Sequence, residues 1–129
     1  MRYMLNRKEV IQEVKDYMNA NIKSMFDKYL NERNFDYRGS DVVDIEVDYV
    51  IGDFHEIVYN STFDYIHDVY VPNLYADYDA DTIDSAQKEL ISREDALIGS
   101  QVNSKTKAYE KYLLKVYNEV NGTNLEIEF

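Results

Sequence analysis

"SDVVDIEVDYVIGDFHEIVYN", residues 40–60, decides what kind of fold this chain adopts. Val43, Ile45, Val47, Tyr49 and Ile51 alternate mostly with acids, which is the pattern of a half-buried strand. Val43, Val47, Val50, Ile51, Phe54, Ile57 and Val58 instead recur at helical steps, and this reading also accounts for the residues beyond 51. Gly52 costs such a helix about 1 kcal/mol relative to alanine. Helix is the favoured reading, and strand the alternative. Under both, the apolar side is taken by the core, so Asp44, Glu46 and Asp48 must face water or a partner.

On the N-terminal side, Asn6 followed by Glu9 is a capping-box pattern. It opens a helix over about 7–33, with Val10, Ile11, Val14, Met18, Ile22, Met25, Phe26 and Tyr29 at steps of three and four. On the C-terminal side, Ser61 and Asp64 predict the start of a short helix that Pro72 ends or kinks. Residues 73–81 then read as a loop. A helix follows, capped by Thr82, Asp84 or Ser85 and running through Ala86, Leu90, Ile91, Leu97 and Ile98 to a stop at Gly99. The last helix spans about 104–121, with Gly122 placed as its C-terminal cap. The tail "NLEIEF" alternates Leu125, Ile127 and Phe129. The expected fold is mainly α, one compact domain of about five helices with room for a small β element. The alternative is α+β, with 43–51 and 125–129 as strands.

At 129 residues the chain can bury a sizeable core, and at 45% hydrophobic residues it should fold. It has no cysteine, which removes disulfides, thiolate metal sites and cysteine nucleophiles. Neither a signal-peptide pattern nor a membrane span is evident, so a cytoplasmic protein is expected. There is no GxSxG, P-loop or GxGxxG motif, and no cofactor is expected.

Charge placement is the informative feature. The chain carries 25 acids against 14 bases, a net charge of −11. Residues 36–84 hold 13 of the acids and one base, Arg38, so all of the excess lies there. Seven of the 13 tyrosines interleave with these acids. Direct binding to nucleic acid or to an anionic membrane is disfavoured by such a charge. Lys107, Lys111 and Lys115 recur at steps of four on the last helix, where phosphate contact competes with a solvated face as the explanation.

Asp77, Asp79 and Asp81 resemble the opening of a calcium loop, but Thr82 and Lys88 occupy the positions where an EF-hand needs Gly and a bidentate Glu. His55 with Glu56, and His67 with Asp64 and Asp68, leave a metal-dependent hydrolase as a minority reading without a recognised ligand spacing. The acids suggest more. Alternate residues of an extended chain lie about 6.6 Å apart, comparable with phosphates recurring every ~3.4 Å of rise on a DNA strand. Asp77-x-Asp79-x-Asp81, and Asp44-x-Glu46-x-Asp48 on the strand reading, would form rows of phosphate-like charge. Asp53, Glu56, Tyr75, Tyr78 and Asp84 complete the candidate contact set, since tyrosines supply stiff, amphipathic interface area.

In size, acidity, absence of cysteine and richness in Tyr, Asn, Asp and Lys, the chain resembles small proteins of phages and mobile elements that inhibit host defence enzymes. Anti-CRISPR and antirestriction proteins are the examples. The stretch "DVYVPNLYAD", residues 68–77, is similar to a pattern found in small phage and plasmid proteins. The resemblance implies a non-catalytic inhibitor, monomer or homodimer, that occupies the basic nucleic-acid groove of a Cas nuclease or restriction enzyme. The alternative is a small helical interaction domain, again monomer or homodimer, whose acidity serves only solubility.

Overall fold

The computed structural model describes residues 3–33, 35, 36, 38 and 46–126. They form five α-helical segments: α1 (Arg7–Glu32), α2 (Val47–Tyr65), α3 (Val71–Leu74), α4 (Ala80–Ser92) and α5 (Ser100–Asn121). A π-helical turn, Ile66–Tyr70, joins α2 to α3, and a second, Asp95–Gly99, leads into α5. No strand occurs among the described residues. Residues 47–51, half of the strand alternative, are helical, while Val43, Asp44 and Ile45 lie outside the described residues, as do Ile127 and Phe129 of the tail.

α1 begins as its sequence requires, with the Asn6 side chain accepting from the Glu9 backbone N–H at 3.1 Å. Val10, Val14, Met18, Ile22, Phe26 and Tyr29 are its buried stripe. α2 buries Val50, Ile51, Phe54 and Val58 against α1 and α5, which is the register of the helical reading. Ile57 departs from it and stays 43% exposed on the outer side. A Cβ built on the exposed Gly52 meets nothing within 4 Å. Gly52→Ala is therefore expected to stabilise the protein by about 0.5–1 kcal/mol, read as a higher urea midpoint at unchanged slope.

Several expected boundaries move. The capping box at Ser61 starts nothing: α2 runs straight through, and the Ser61 hydroxyl hydrogen-bonds the Tyr17 hydroxyl at 2.6 Å. Pro72 is accommodated by the π turn before it. The Val71 N–H reaches back five residues to the Ile66 carbonyl, widening the helix where the proline ring would clash with the carbonyl four residues back. The helix ends at Leu74, two residues later. α4 starts earlier than expected, capped by Asp79 rather than by Thr82, Asp84 or Ser85. Its carboxylate accepts from both the N–H and the hydroxyl of Thr82 at 2.8 Å.

Gly99 does not stop a helix. Leu97, Ile98 and Val102 around it are fully buried, and that burial outweighs the roughly 1 kcal/mol helix cost of a glycine. α5 consequently begins at Ser100 instead of about 104. Its other end is as expected, with Gly122 left-handed (φ 65°, ψ 35°) and donating to the Asn118 carbonyl at 2.9 Å.

Candidate functional site

α2 determines where most of the acids go. With its apolar stripe turned inward, Asp53, Glu56, Asn60 and Asp64 follow one another at steps of three and four along its outer side, and Asp68 follows four residues later in the π turn, all exposed. A helix rises about 1.5 Å per residue, so the four-residue steps place these groups about 6 Å apart along the axis. Tyr49, 57% exposed, and Ile57 stand among them. Glu46 and Asp48 are exposed at the start of α2, where negative charge also complements the helix dipole. Asp44 lies outside the described residues.

The extended rows inferred from sequence are not the geometry adopted. Asp77 lies in the turn after α3, Asp79 is the cap of α4, and Asp81 is already helical. Glu46 is extended, but Asp48 is in the first turn of α2. The outer side of α2 and the π turn after it supply a sparser row, interrupted at Asn60, and it uses Asp64 and Asp68, which the sequence-based contact set omits.

The second group of candidates sits at the α3–α4 corner. Tyr75 is half-buried and donates its hydroxyl to the Met4 carbonyl at 2.8 Å. Its ring meets Tyr78 edge-on at 5.5 Å, and Tyr78 itself is 62% exposed. Asp77 and Asp81 are exposed. Asp79 is engaged by Thr82, whose hydrogen bonds hold its carboxyl below the usual range, and Asp84 pairs with Lys88 at 3.0 Å. This corner and the start of α2 are separated by the whole α2–α3 rod, about 40 Å at helical rise. The candidate residues therefore form two groups, linked by the acids along α2.

Some of the acids serve the fold. Asp53 pairs with Arg33 at 3.1 Å. The Arg33 guanidinium lies 5.3–5.7 Å from the ring centres of Tyr29, Phe35 and Tyr49 and donates to the Tyr49 carbonyl at 2.8 Å. Asp36 closes onto Arg38, whose hydrogen bonds hold its carboxyl down at about 2. Glu89 carries an anchor without any local sequence signal. Its two oxygens accept from the backbone N–H groups of Met4 and Leu5 at 2.7 and 2.8 Å.

The histidines do not converge. His55 hydrogen-bonds Asn103 and His67 bonds Asp68, and twelve helical residues put them about 18 Å apart along the axis. No group of three metal-binding side chains occurs among the described residues. On the inner side of the rod, tyrosine hydroxyls are held protonated. Tyr65 donates to Glu13 at 2.6 Å and is pushed up to about 12 by that bond. Burial first, and then Glu94, push Tyr59 to about 12. Lys111 and Lys115 line the shallow groove where residues 123–126 fold back on α5. Among the described residues no helix is long and apolar enough to cross a membrane. Compared with family models, curated proteins and solved structures, the chain matches none.

Proposed function

We propose that this protein is a non-catalytic, acidic inhibitor of a nucleic-acid-handling enzyme, of the CRISPR-nuclease or restriction-enzyme kind. It binds the enzyme's basic groove and competes with DNA or RNA there. The observation that carries this reading is the line of exposed acids on α2. Because Asn60 interrupts the line, its acids stand about 4.5, 12 and 6 Å apart along the axis; the two longer steps are close to four and two phosphate rises of ~3.4 Å each, and Tyr49 and Ile57 provide apolar contact area among them. The α3–α4 corner, with Tyr78, Asp77 and Asp81, adds a second exposed acidic group beyond the end of the rod.

Charge-removing variants test the reading in two places. Glu56→Gln with Asp64→Asn and Asp68→Asn removes three of the four charges of the α2 line and leaves Asp53, which pairs with Arg33. Asp77→Asn with Asp79→Asn and Asp81→Asn neutralises the corner, and asparagine still caps α4. Each triple variant is expected to weaken binding to a basic nuclease at least ~tenfold, mostly through slower association. Unchanged affinity in both variants, with self-association by light scattering, would instead favour the homodimeric interaction domain.

A further inference from the structure

Between α1 and α5 lies a groove of about 240 Å³ lined by Lys15, Met18, Asn19, Gln101, Ser104 and Lys105. Its composition runs against that of the rest of the molecule. Each helix contributes one ammonium and one carboxamide a single turn apart, Lys15 with Asn19 on α1 and Lys105 with Gln101 on α5. Ser104 adds a hydroxyl, and Met18, almost fully buried, is the floor.

All five polar side chains can donate hydrogen bonds, and the two ammoniums cannot accept any. None of the five makes a side-chain hydrogen bond or ion pair with a described residue, whereas elsewhere between the helices Tyr17 bonds Ser61, Tyr65 bonds Glu13 and His55 bonds Asn103. Neither lysine has an Asp or Glu three or four residues away on its own helix. In a chain with 25 acids and 14 bases, two lysines that share a groove without a carboxylate are a conspicuous exception. Like charges facing one another repel, and an anion bound between them removes that cost. A phosphate group suits the site better than a carboxylate does. It brings a charge near −2 and three or more strong acceptor oxygens, enough to engage both ammoniums and the neutral donors together. Lysine binds phosphate well as a point charge.

We propose that the α1–α5 groove is a binding site for a phosphate-class oxyanion, either free phosphate or a phosphomonoester. The site lies apart from the acids on the outer side of α2 and does not depend on the function proposed above.

Titration of the full-length, ¹⁵N-labelled protein with inorganic phosphate, at ionic strength held constant with sodium chloride, tests it by NMR. Saturable shifts are expected at the Asn19 and Gln101 side-chain amides and at the backbone amides of Ser104 and Lys105. Lys15→Gln with Lys105→Gln should weaken the binding at least ~tenfold, while Lys8→Gln, an exposed lysine elsewhere on α1, should leave it unchanged. The same spectra report whether each variant is folded. A nucleoside monophosphate distinguishes the two sources: tighter binding than inorganic phosphate identifies a phosphomonoester ligand, and equal binding identifies free phosphate. Shifts that rise linearly, spread over many surface lysines and are reproduced by chloride would overturn the proposal, as would a double variant that binds phosphate as well as the native protein.

Discussion

Phe54→Ala is expected to destabilise the protein by about 3–5 kcal/mol. Phe54 is fully buried where α1, α2 and α5 meet. Its ring contacts Phe26 at 5.3 Å, Tyr29 at 5.5 Å and Tyr109 at 5.8 Å between centroids. Those rings are tethered to two other helices, so they cannot close over the space that alanine leaves, and the cavity term adds to the lost transfer energy. Phe54→Leu keeps most of the volume and should cost less than about 1.5 kcal/mol. Urea unfolding followed by circular dichroism measures both. A loss below 1 kcal/mol for the alanine variant would mean that α2 does not present Phe54 to the core, and the helical register of residues 47–58 would be wrong.

Glu89→Ala is expected to cost about 2–3 kcal/mol, since a buried or half-buried charge network loses its acceptor. Glu89 and Arg93 are both largely shielded from solvent. The carboxylate holds the N–H groups of Met4 and Leu5, and the Arg93 guanidinium donates to the same carboxylate at 3.3 Å and to the Leu5 carbonyl at 3.1 Å. Tyr3 covers Arg93, with its ring centre 3.9 Å from the guanidinium carbon. Without Glu89, two donors and one cation lose their partner at once, and Leu5, which is buried, loses the bonds that keep it there. Hydrogen exchange should report faster exchange at the Leu5 amide, beyond any change in global stability. Glu89→Gln retains an accepting oxygen and should recover part of the loss. Equal protection of Leu5 in the alanine variant would contradict the anchoring role.

These two sites differ in how far the sequence foretold them. The burial of Phe54 follows from the helical spacing of Val50, Ile51, Phe54 and Val58 within residues 40–60, and the start of α1 follows from Asn6 and Glu9. Both are local signals that the packed structure reinforces. The Glu89 anchor joins residues 84 and 85 positions apart, and nothing near either end of the chain points to the other. The capping box at Ser61 and the expected stop at Gly99 failed for one reason. Local preferences worth about 1 kcal/mol were outweighed by the burial of Val58, Thr62 and Ile66 on one side and of Leu97, Ile98 and Val102 on the other.

The candidate surface was legible as a quantity of charge and poorly legible as a geometry. An acidic middle segment is visible by counting, but its arrangement depends on the choice between helix and strand. With helix chosen, the steps from Glu56 through Asn60 and Asp64 to Asp68 could have been read from the sequence. The rows at 44–48 and 77–81 rested on an extended backbone, and helix starts at Val47 and Ala80 replace it. Asp79 and Asp84 then acquire local partners, Thr82 and Lys88, that the rows did not require.

The most direct test of the inhibitor reading is a competition measurement. A basic nuclease that binds this protein is loaded with fluorescent DNA, and the protein is titrated in at several salt concentrations. Displacement of the DNA is expected, with an affinity that falls steeply as salt rises because the contacts are charged and exposed. A stable ternary complex that retains the DNA, or binding indifferent to salt, would contradict it.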